Sequence, residues 1–247
     1  MRAAGVRVPP VHFDSIGSTN DEAKRLAAEG APEWTVVATD HQTAGRGRLG
    51  RGWVTPPGRA LTFSVLLRPP IPAADAPILS LLAAAEMAEA CREAAGVHVV
   101  CKWPNDLLVG DRKVGGVLAE ALVQDGALGS LVVGIGVNVA TEGGEFPQEL
   151  AGVASSLVLE GGATTPGLLL ERFLGGFGAR YRPGDEGFGV QAIETYRSLC
   201  ATLGRRVRAL TTAGETVTGT ALDVDGRGGL VLDRGRVAFG EVQHLGT

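Results

Sequence analysis

The sequence predicts an α+β protein, in which a mixed sheet with helices is followed by a small, barrel-like β-module. Two observations support this fold class. Strand signals joined by short turns fill residues 97–139, which indicates a largely antiparallel or mixed sheet. Beyond Leu203, five short strand signals follow one another with glycines at the turns. We therefore predict two domains, over residues 1–202 and 203–247.

Four segments have the pattern of helices. In the first, Thr19 and Glu22 fit a capping box, acidic residues occupy the first turn, and Gly30 ends the helix. The longest candidate covers residues 75–95, with Pro77 in its first turn and apolar side chains at helical spacing. The other two helices are predicted over about residues 166–181 and 187–199.

Strand signals separate these helices and then fill the second domain. In the first domain the predicted strands cover residues 34–39, 61–67, 97–102, 107–109, 114–123 and 128–139. Asp125-Gly126 joins the last two strands, and this dipeptide is typical of tight hairpins. In the second domain the predicted strands cover residues 206–210, 216–223, 230–232, 236–239 and 243–244. Short strands joined by glycine turns favour a barrel-like module.

The composition argues against several classes of protein. The 247 residues are 45% apolar and 20% charged, which is typical of a globular protein. The formal net charge of −4 argues against a general nucleic-acid-binding protein. Three cysteines without C-x-x-C spacing favour free thiols in a reducing cytosol. Residues 1–10 lack the apolar segment of a secretory signal, and the apolar stretch 78–90 is too short to span a bilayer. We therefore expect a cytoplasmic protein without membrane contact.

The most distinctive segment runs from Gly45 to Trp53 and alternates four glycines with three arginines. Gly45, Gly47 and Gly50 match the dinucleotide-binding pattern, but two prolines and two glycines within residues 51–58 prevent the helix which that site requires. The segment is not a P-loop either, because no Gly-Lys-Ser/Thr follows. Two interpretations remain from these residues alone. The segment is either a flexible basic loop or a loop whose arginines close over a phosphate or carboxylate.

Four further segments combine polar residues with turns or apolar strands, and each also has an ordinary structural explanation. Ser18-Thr19-Asn20 is good capping chemistry, and Lys102-Trp103-Pro104-Asn105-Asp106 has the composition of a tight turn. Lys113 precedes Gly115-Gly116 in a strand, which indicates either a bulge or the close approach of a ligand. Asn138 lies inside an apolar strand, where a buried amide needs hydrogen-bond partners. Taken singly, each segment leaves both interpretations open.

The order and spacing of the five segments closely resemble the biotin–protein ligase family, also called biotin–[acetyl-CoA-carboxylase] ligase. The matching stretches are Ser18 to Asn20, Gln42 to Trp53, Lys102 to Leu107, Lys113 to Leu118 and Gly134 to Asn138. The resemblance extends from about residue 12 to the end and implies a catalytic domain related to class II aminoacyl-tRNA synthetases, followed by an SH3-like β-barrel. The sequence resembles the short form of the family, which lacks an N-terminal DNA-binding domain, so we expect no binding of operator DNA.

The resemblance also implies roles for individual residues. It places biotin against Ser18, Thr19, Asn20, Gln42, Gly45, Arg46, Gly47, Arg48, Lys113, Gly115 and Gly116. It places ATP and the adenylate against Arg46, Arg48, Arg51, Trp53, Lys102, Asn105, Asp106, Lys113 and Asn138. Arg48 and Lys113 are the expected catalytic cations, and Asp106 is the expected acceptor of the target lysine's proton. No residue is expected to form a metal site of its own, and Mg²⁺ is expected to accompany ATP.

The implied reaction has two steps. Biotin and Mg-ATP form biotinyl-5′-AMP, and a lysine of a biotin carboxyl carrier protein or domain then takes the biotin. Two alternatives remain: a lipoate–protein ligase of the same fold, and a regulatory module that binds biotin or a nucleotide without catalysis. The sequence leaves open the identity of the acceptor and whether the protein is a monomer or a homodimer.

Overall fold

The fold is described from a computed structural model over residues 9–124 and 127–245. Its large sheet contains β1 (Val11–Phe13), β2 (Val36–Thr39), β3 (Ala60–Leu67), β4 (Val100–Lys102), β5 (Asp106–Val109), β6 (Arg112–Gln124) and β7 (Ala127–Asn138). The strands lie in the order β1-β2-β3-β7-β6-β5-β4. Among these described strands, only β1 and β2 pair in parallel. The predicted mixed sheet, and with it the α+β fold class, is confirmed.

The strand β1 was not predicted from the sequence. It has three residues, two of them exposed, so it shows none of the alternation that marks a half-buried strand. What defines it is pairing with β2, in which Val11 lies opposite Val37. The predicted hairpin dipeptide, Asp125-Gly126, lies outside the described residues, although the flanking Gln124 and Ala127 are antiparallel partners.

The four predicted helices are confirmed with small differences at their ends. They are α1 (Thr19–Ala28), α2 (Ala76–Ala95), α3 (Pro166–Arg180) and α4 (Phe188–Leu199). The predicted capping box in α1 is wrong: the N-cap residue is Ser18, and its side chain makes no cap hydrogen bond. The Thr19 hydroxyl donates to Gln42 Oε1 instead, while Glu22 pairs with Arg25. A tertiary contact has therefore replaced the local cap.

The two faces of the large sheet differ in character. On one face α2 and α3 cover apolar strand residues, and the Phe63 and Phe173 rings meet edge to face at 5.3 Å. Side chains alternate between faces along a strand, so Thr62 and Ser64 point the other way, towards α1. Gly134 and Gly136 of β7 lie opposite these two residues. The second face therefore has small and polar residues at these positions, beside a smaller apolar cluster that Val37, Leu66 and Val132 form with Ala23 of α1.

The C-terminal strands form a separate antiparallel sheet, as predicted. They are β8 (Arg206–Thr211), β9 (Thr216–Val224), β10 (Leu230–Leu232), β11 (Gly235–Val237) and β12 (Gly240–His244), in the order β11-β10-β9-β8-β12. The domain boundary at residues 202/203 stays a prediction.

Hydrogen bonds join the C-terminal sheet to the turn that follows β4. The Trp103 backbone N–H donates to Thr202 Oγ1 at 3.0 Å, and its indole N–H donates to the Gly228 carbonyl at 2.9 Å. His244 Nε2 also lies 3.0 Å from Thr202 Oγ1. Burial, followed by the charge of Lys102, lowers the pKa of His244 to about 4, so its ring is neutral at pH 7. These contacts hold β12 beside the first domain.

The three cysteines are free, as the composition predicts. Cys91, Cys101 and Cys200 are buried and free. Across residues 9–124 and 127–245, no helix combines the length and the apolar character that a membrane crossing needs.

Candidate active site

A single cavity of about 410 Å³ brings all five sequence segments together on the α1 side of the large sheet. Predicted site residues that line it are Ser18, Thr19, Asn20, Gln42, Arg46, Gly47, Arg48, Arg51, Trp53, Lys102, Asn105, Asp106, Lys113, Gly116 and Asn138. The other two, Gly45 and Gly115, are not part of this lining. A Cβ on Gly115 would come within 2.6 Å of the Gly136 carbonyl oxygen, so its glycine permits close strand packing.

The floor of the cavity is flat because three strand residues there are glycines. A Cβ on Gly134 would overlap the Asn20 amide, and a Cβ on Gly136 would lie 2.5 Å from the Trp53 ring. Gly116 completes the row on β6, opposite Gly136. Strand glycines are otherwise unfavourable, and Gly134 and Gly136 are explained by the Asn20 and Trp53 side chains that lie directly on their backbone.

A hydrogen-bonded cluster at the start of α1 forms one end of the cavity. Gln42 Oε1 accepts from the Thr19 backbone N–H at 2.8 Å and from its hydroxyl at 3.1 Å. The Ser64 hydroxyl donates to Asn20 Oδ1 at 2.6 Å, and Asn20 Nδ2 donates to Glu120 at 2.6 Å. Ser64 and Glu120 were missed from the sequence. Ser64 could have been found from the alternation of polar and apolar residues in β3. It is fully buried in the structure.

Two donors of this end are free for a ligand. Among the described residues, neither the Ser18 hydroxyl nor Gln42 Nε2 has a hydrogen-bond partner, and both residues line the cavity. Leu118, opposite Gly134 on the neighbouring strand, adds apolar surface to the cavity. This end therefore suits an uncharged polar group attached to an apolar one.

The arginine loop, residues 45–53, covers the cavity. Its two legs are joined by hydrogen bonds from Gly47 N to the Arg51 carbonyl at 2.7 Å and from Trp53 N to the Gly45 carbonyl at 2.9 Å. At its tip, Leu49 and Gly50 have φ of +52° and +74°, a left-handed turn that glycine adopts at little cost.

The three arginines of this loop differ in their partners. Arg46 forms a two-pronged ion pair with Asp21, and Arg51 pairs with Glu241 of β12. Arg48 has no carboxylate partner within ion-pair distance among the described residues. Burial lowers the pKa of Arg48, and the nearby carboxylate of Glu241 opposes this shift. Arg48 is therefore the cation of the loop that is available to a bound anion.

Lys113, Lys102 and Asp106 form the opposite end of the cavity. Lys113 Nζ lies 2.5 Å from Asp106 Oδ1, and Lys102 Nζ lies 4.0 Å from Asp106 Oδ2. The Lys113 backbone is fixed by bonds to Val153 and Ser155 at 2.8 Å each. With Arg48 nearby, the positive charges exceed the negative ones at this end, which suits an anionic ligand.

Two buried polar atoms in the cavity lack partners among the described residues: Trp53 Nε1 and Asn138 Oδ1. Asn138 Nδ2 donates to the Ser155 carbonyl at 2.9 Å, which fixes the amide so that Oδ1 is the free atom. A buried unpaired group is costly, so a ligand that paired with these two atoms would gain hydrogen bonds that the protein itself does not supply. One atom donates and the other accepts, as the edge of a heterocyclic base would require.

Comparison with known proteins gives consistent results. Residues 12–138 match the model of the biotin/lipoate A/B protein ligase family, and residues 202–245 match that of the biotin protein ligase C terminal domain. The chain is 37% identical over 225 residues to the bifunctional ligase/repressor BirA of Bacillus subtilis, a match that covers 90% of this chain and 69% of that protein. It is 34% identical to the biotin--[acetyl-CoA-carboxylase] ligase of Mycobacterium tuberculosis, over 93% of this chain and 86% of that one.

Comparison with solved structures gives the same family as the sequence comparison. A biotin protein ligase from Aquifex aeolicus in complex with biotin and ATP superposes with a TM-score of 0.75 at 25% identity, over 95% of this chain and 98% of that chain. The matched residues include all five segments that line the cavity. The chain therefore belongs to the biotin/lipoate A/B protein ligase family.

Proposed function

We propose that this enzyme, a biotin–protein ligase, activates biotin with ATP to biotinyl-5′-AMP and then transfers biotin to a lysine of a biotin carboxyl carrier domain. The observation that carries the proposal is the division of one cavity into a neutral polar end and a cationic end. Biotin has a neutral head and an anionic carboxylate, and ATP brings a second anion to the same place. A cavity that joins these two environments suits the condensation of the two molecules.

The neutral end suits the ureido head of biotin. That ring offers N–H donors and a carbonyl acceptor, for which hydroxyl and amide groups are the appropriate partners. The free Ser18 hydroxyl and Gln42 Nε2 would donate to its carbonyl, while Thr19 fixes the Gln42 amide. Leu118 would contact the apolar part of the ring and its alkyl chain.

The cationic end suits the adenylation step. A carboxylate oxygen of biotin attacks the α-phosphorus of ATP, and the bond to pyrophosphate breaks. The two anions repel one another, so cations must hold them together in the transition state. Arg48 and Lys113 would supply this charge. Arg48 has no carboxylate partner among the described residues, and Lys113 pairs with Asp106. A Mg²⁺ ion carried by ATP would neutralise part of the phosphate charge. Asp106 and Asp111, which line this wall, would be the carboxylates within reach of it, although they also pair with Lys113 and Arg205.

Trp53 and Asn138 would bind the adenine base. Its amino group would donate to Asn138 Oδ1, and a ring nitrogen would accept from Trp53 Nε1, which would satisfy both buried atoms. In the transfer step, the lysine amine attacks the acyl carbon of the adenylate and AMP leaves. Asp106 would take the proton of the attacking amine. The closed arginine loop would keep water from the anhydride.

The proposed partners are biotin, ATP and a carrier domain. A cytoplasmic location fits three free, buried cysteines. The formal net charge of −4 supports a second proposal, that the chain does not bind operator DNA. A gel-shift assay with a biotin operator tests the last point, and a specific shifted band would contradict it.

Mass spectrometry of a carrier domain tests the function directly. The domain is incubated with the protein, Mg-ATP and biotin, and a gain of one biotin on a single lysine is expected. Parallel incubations replace biotin by lipoate, omit ATP, or use a carrier whose lysine is arginine. An adduct with lipoate alone would assign the enzyme to lipoate ligation, and biotin binding without pyrophosphate release would make it a regulatory module.

Two glycine variants should separate the two ends of the cavity. In Gly134→Ala the new methyl group displaces Asn20, so the KM for biotin should rise about tenfold with the KM for ATP little changed. In Gly136→Ala it displaces Trp53, so the KM for ATP should rise about tenfold instead. Steady-state kinetics with each substrate varied in turn measures both values.

Gly144→Ala is the matched control, because a Cβ there has open space and should change neither KM. If both glycine variants raise the same KM, the assignment of the two ends is wrong.

A further inference from the structure

The first leg of the arginine loop is attached to α1 by a two-pronged ion pair. Both terminal nitrogens of Arg46 donate to the two carboxylate oxygens of Asp21, each at 2.6 Å. Paired donors matched to a carboxylate fix orientation as well as distance. Arg46 also lines the cavity, but two of its five guanidinium N–H donors are used by Asp21.

This ion pair belongs to a network that reaches the neutral end of the cavity. Lys24 Nζ lies 3.4 Å from Asp21 and 2.7 Å from Glu120, and Arg46 lies 3.9 Å from the same glutamate. Glu120 in turn accepts from Asn20 Nδ2. The same charged side chains therefore contact both the arginine loop and the Asn20 amide. Asp21 is also the residue directly after Asn20 on α1.

The second leg is held independently. Arg51 pairs with Glu241 on β12, far from α1 in the sequence. Arg48 lies between the two attachments, so its position over the cavity depends on both. The Asp21–Arg46 pair is solvent-accessible, with the side chains 53% and 38% exposed. Such a pair contributes little to global stability, so its value lies in where it places the loop.

We propose that Asp21 is a positioning residue, which acts through Arg46 to hold the arginine loop closed over the biotin pocket. Arg46 then serves as an anchor of the loop rather than as a ligand of the phosphate. The consequence for catalysis concerns retention of biotinyl-5′-AMP and therefore rests on the proposed function.

Asp21→Asn and Arg46→Gln test the proposal together with their double variant. Each single variant should release preformed biotinyl-5′-AMP about tenfold faster, and the double variant should be no worse than either one, because the two residues act through one contact. The KM for ATP should stay within about twofold for Asp21→Asn. The charge-swapped pair Asp21→Arg with Arg46→Asp should recover part of the retention. Glu29→Gln is the control, since Glu29 ends the same helix and pairs with Arg25 alone among the described residues.

Two results would overturn the proposal. If Arg46 bound phosphate directly, Arg46→Gln would raise the KM for ATP, its effect would add to that of Asp21→Asn, and the charge swap would restore nothing. Unchanged retention in Asp21→Asn would also exclude the positioning role.

Hydrogen exchange of the ligand-free protein gives a readout that needs no catalysis. The Gly47 and Trp53 backbone N–H groups are bonded within the loop, so a peptide covering residues 45–53 should exchange about fivefold faster in Asp21→Asn and unchanged in Glu29→Gln. Faster exchange in a protein that forms no biotinyl-5′-AMP would support the anchor and refute the proposed function. Equal exchange in a protein that does form it would refute the anchor alone.

Discussion

Arg48→Ala is expected to release biotinyl-5′-AMP about 100-fold faster than the parent protein. The reason is that the partly buried phosphate of the adenylate loses the guanidinium that donates hydrogen bonds to it. Arg48 is the arginine of the loop without a carboxylate partner among the described residues, so its charge is available to the ligand. The measurement is a chase: protein loaded with labelled biotinyl-5′-AMP is mixed with excess unlabelled adenylate, and the loss of label is followed over time.

The fold should be unaffected by this change. The Arg48 side chain gives no hydrogen bond to the described residues, so the midpoint of thermal unfolding should stay within about 2 °C of the parent. Arg92→Ala is the matched control, since Arg92 lies on the exposed side of α2 and pairs with Glu89. An unchanged rate of adenylate release in Arg48→Ala would remove Arg48 from the binding of the phosphate.

Lys113→Ala is expected to slow adenylation by about 100- to 1000-fold, the effect of removing one preorganised charge from a transition state. Lys113 Nζ is 2.5 Å from Asp106, so its loss also leaves that carboxylate with Lys102 alone, at 4.0 Å. The cationic end would then attract the biotin carboxylate and the triphosphate less strongly. Release of pyrophosphate from biotin and Mg-ATP measures the step without any acceptor.

Lys113→Arg provides the comparison that separates charge from geometry. It keeps the positive charge, and its recovery of part of the rate would show that charge is what the step requires. The backbone of residue 113 is bonded on both sides, so neither variant should unfold the strand. Near-normal pyrophosphate release by Lys113→Ala would exclude this lysine from the mechanism.

Much of the candidate site could be predicted from the sequence, because its chemistry lies in short segments. Trp53 and Asn138 are in the cavity as expected, and so is the turn that contains Asp106. The helices and most strands were also predictable, since each has its own periodicity and turn residues. Ser64 and Glu120 were not, because a single polar residue in a strand does not indicate what lies above it.

The sequence by itself determined which residue types the site contains: the glycine floor, the arginine loop, two lysines and the amides. The tertiary structure alone decided which of the three arginines are paired with carboxylates and which is available to a ligand. Arg46 and Arg51 are chemically equal to Arg48 in the sequence, and they differ because Asp21 and Glu241 come from α1 and from β12. Those partners are separated from the loop by 25 and 190 positions. Electrostatic pairing depends on distance in space, and the fold sets that distance.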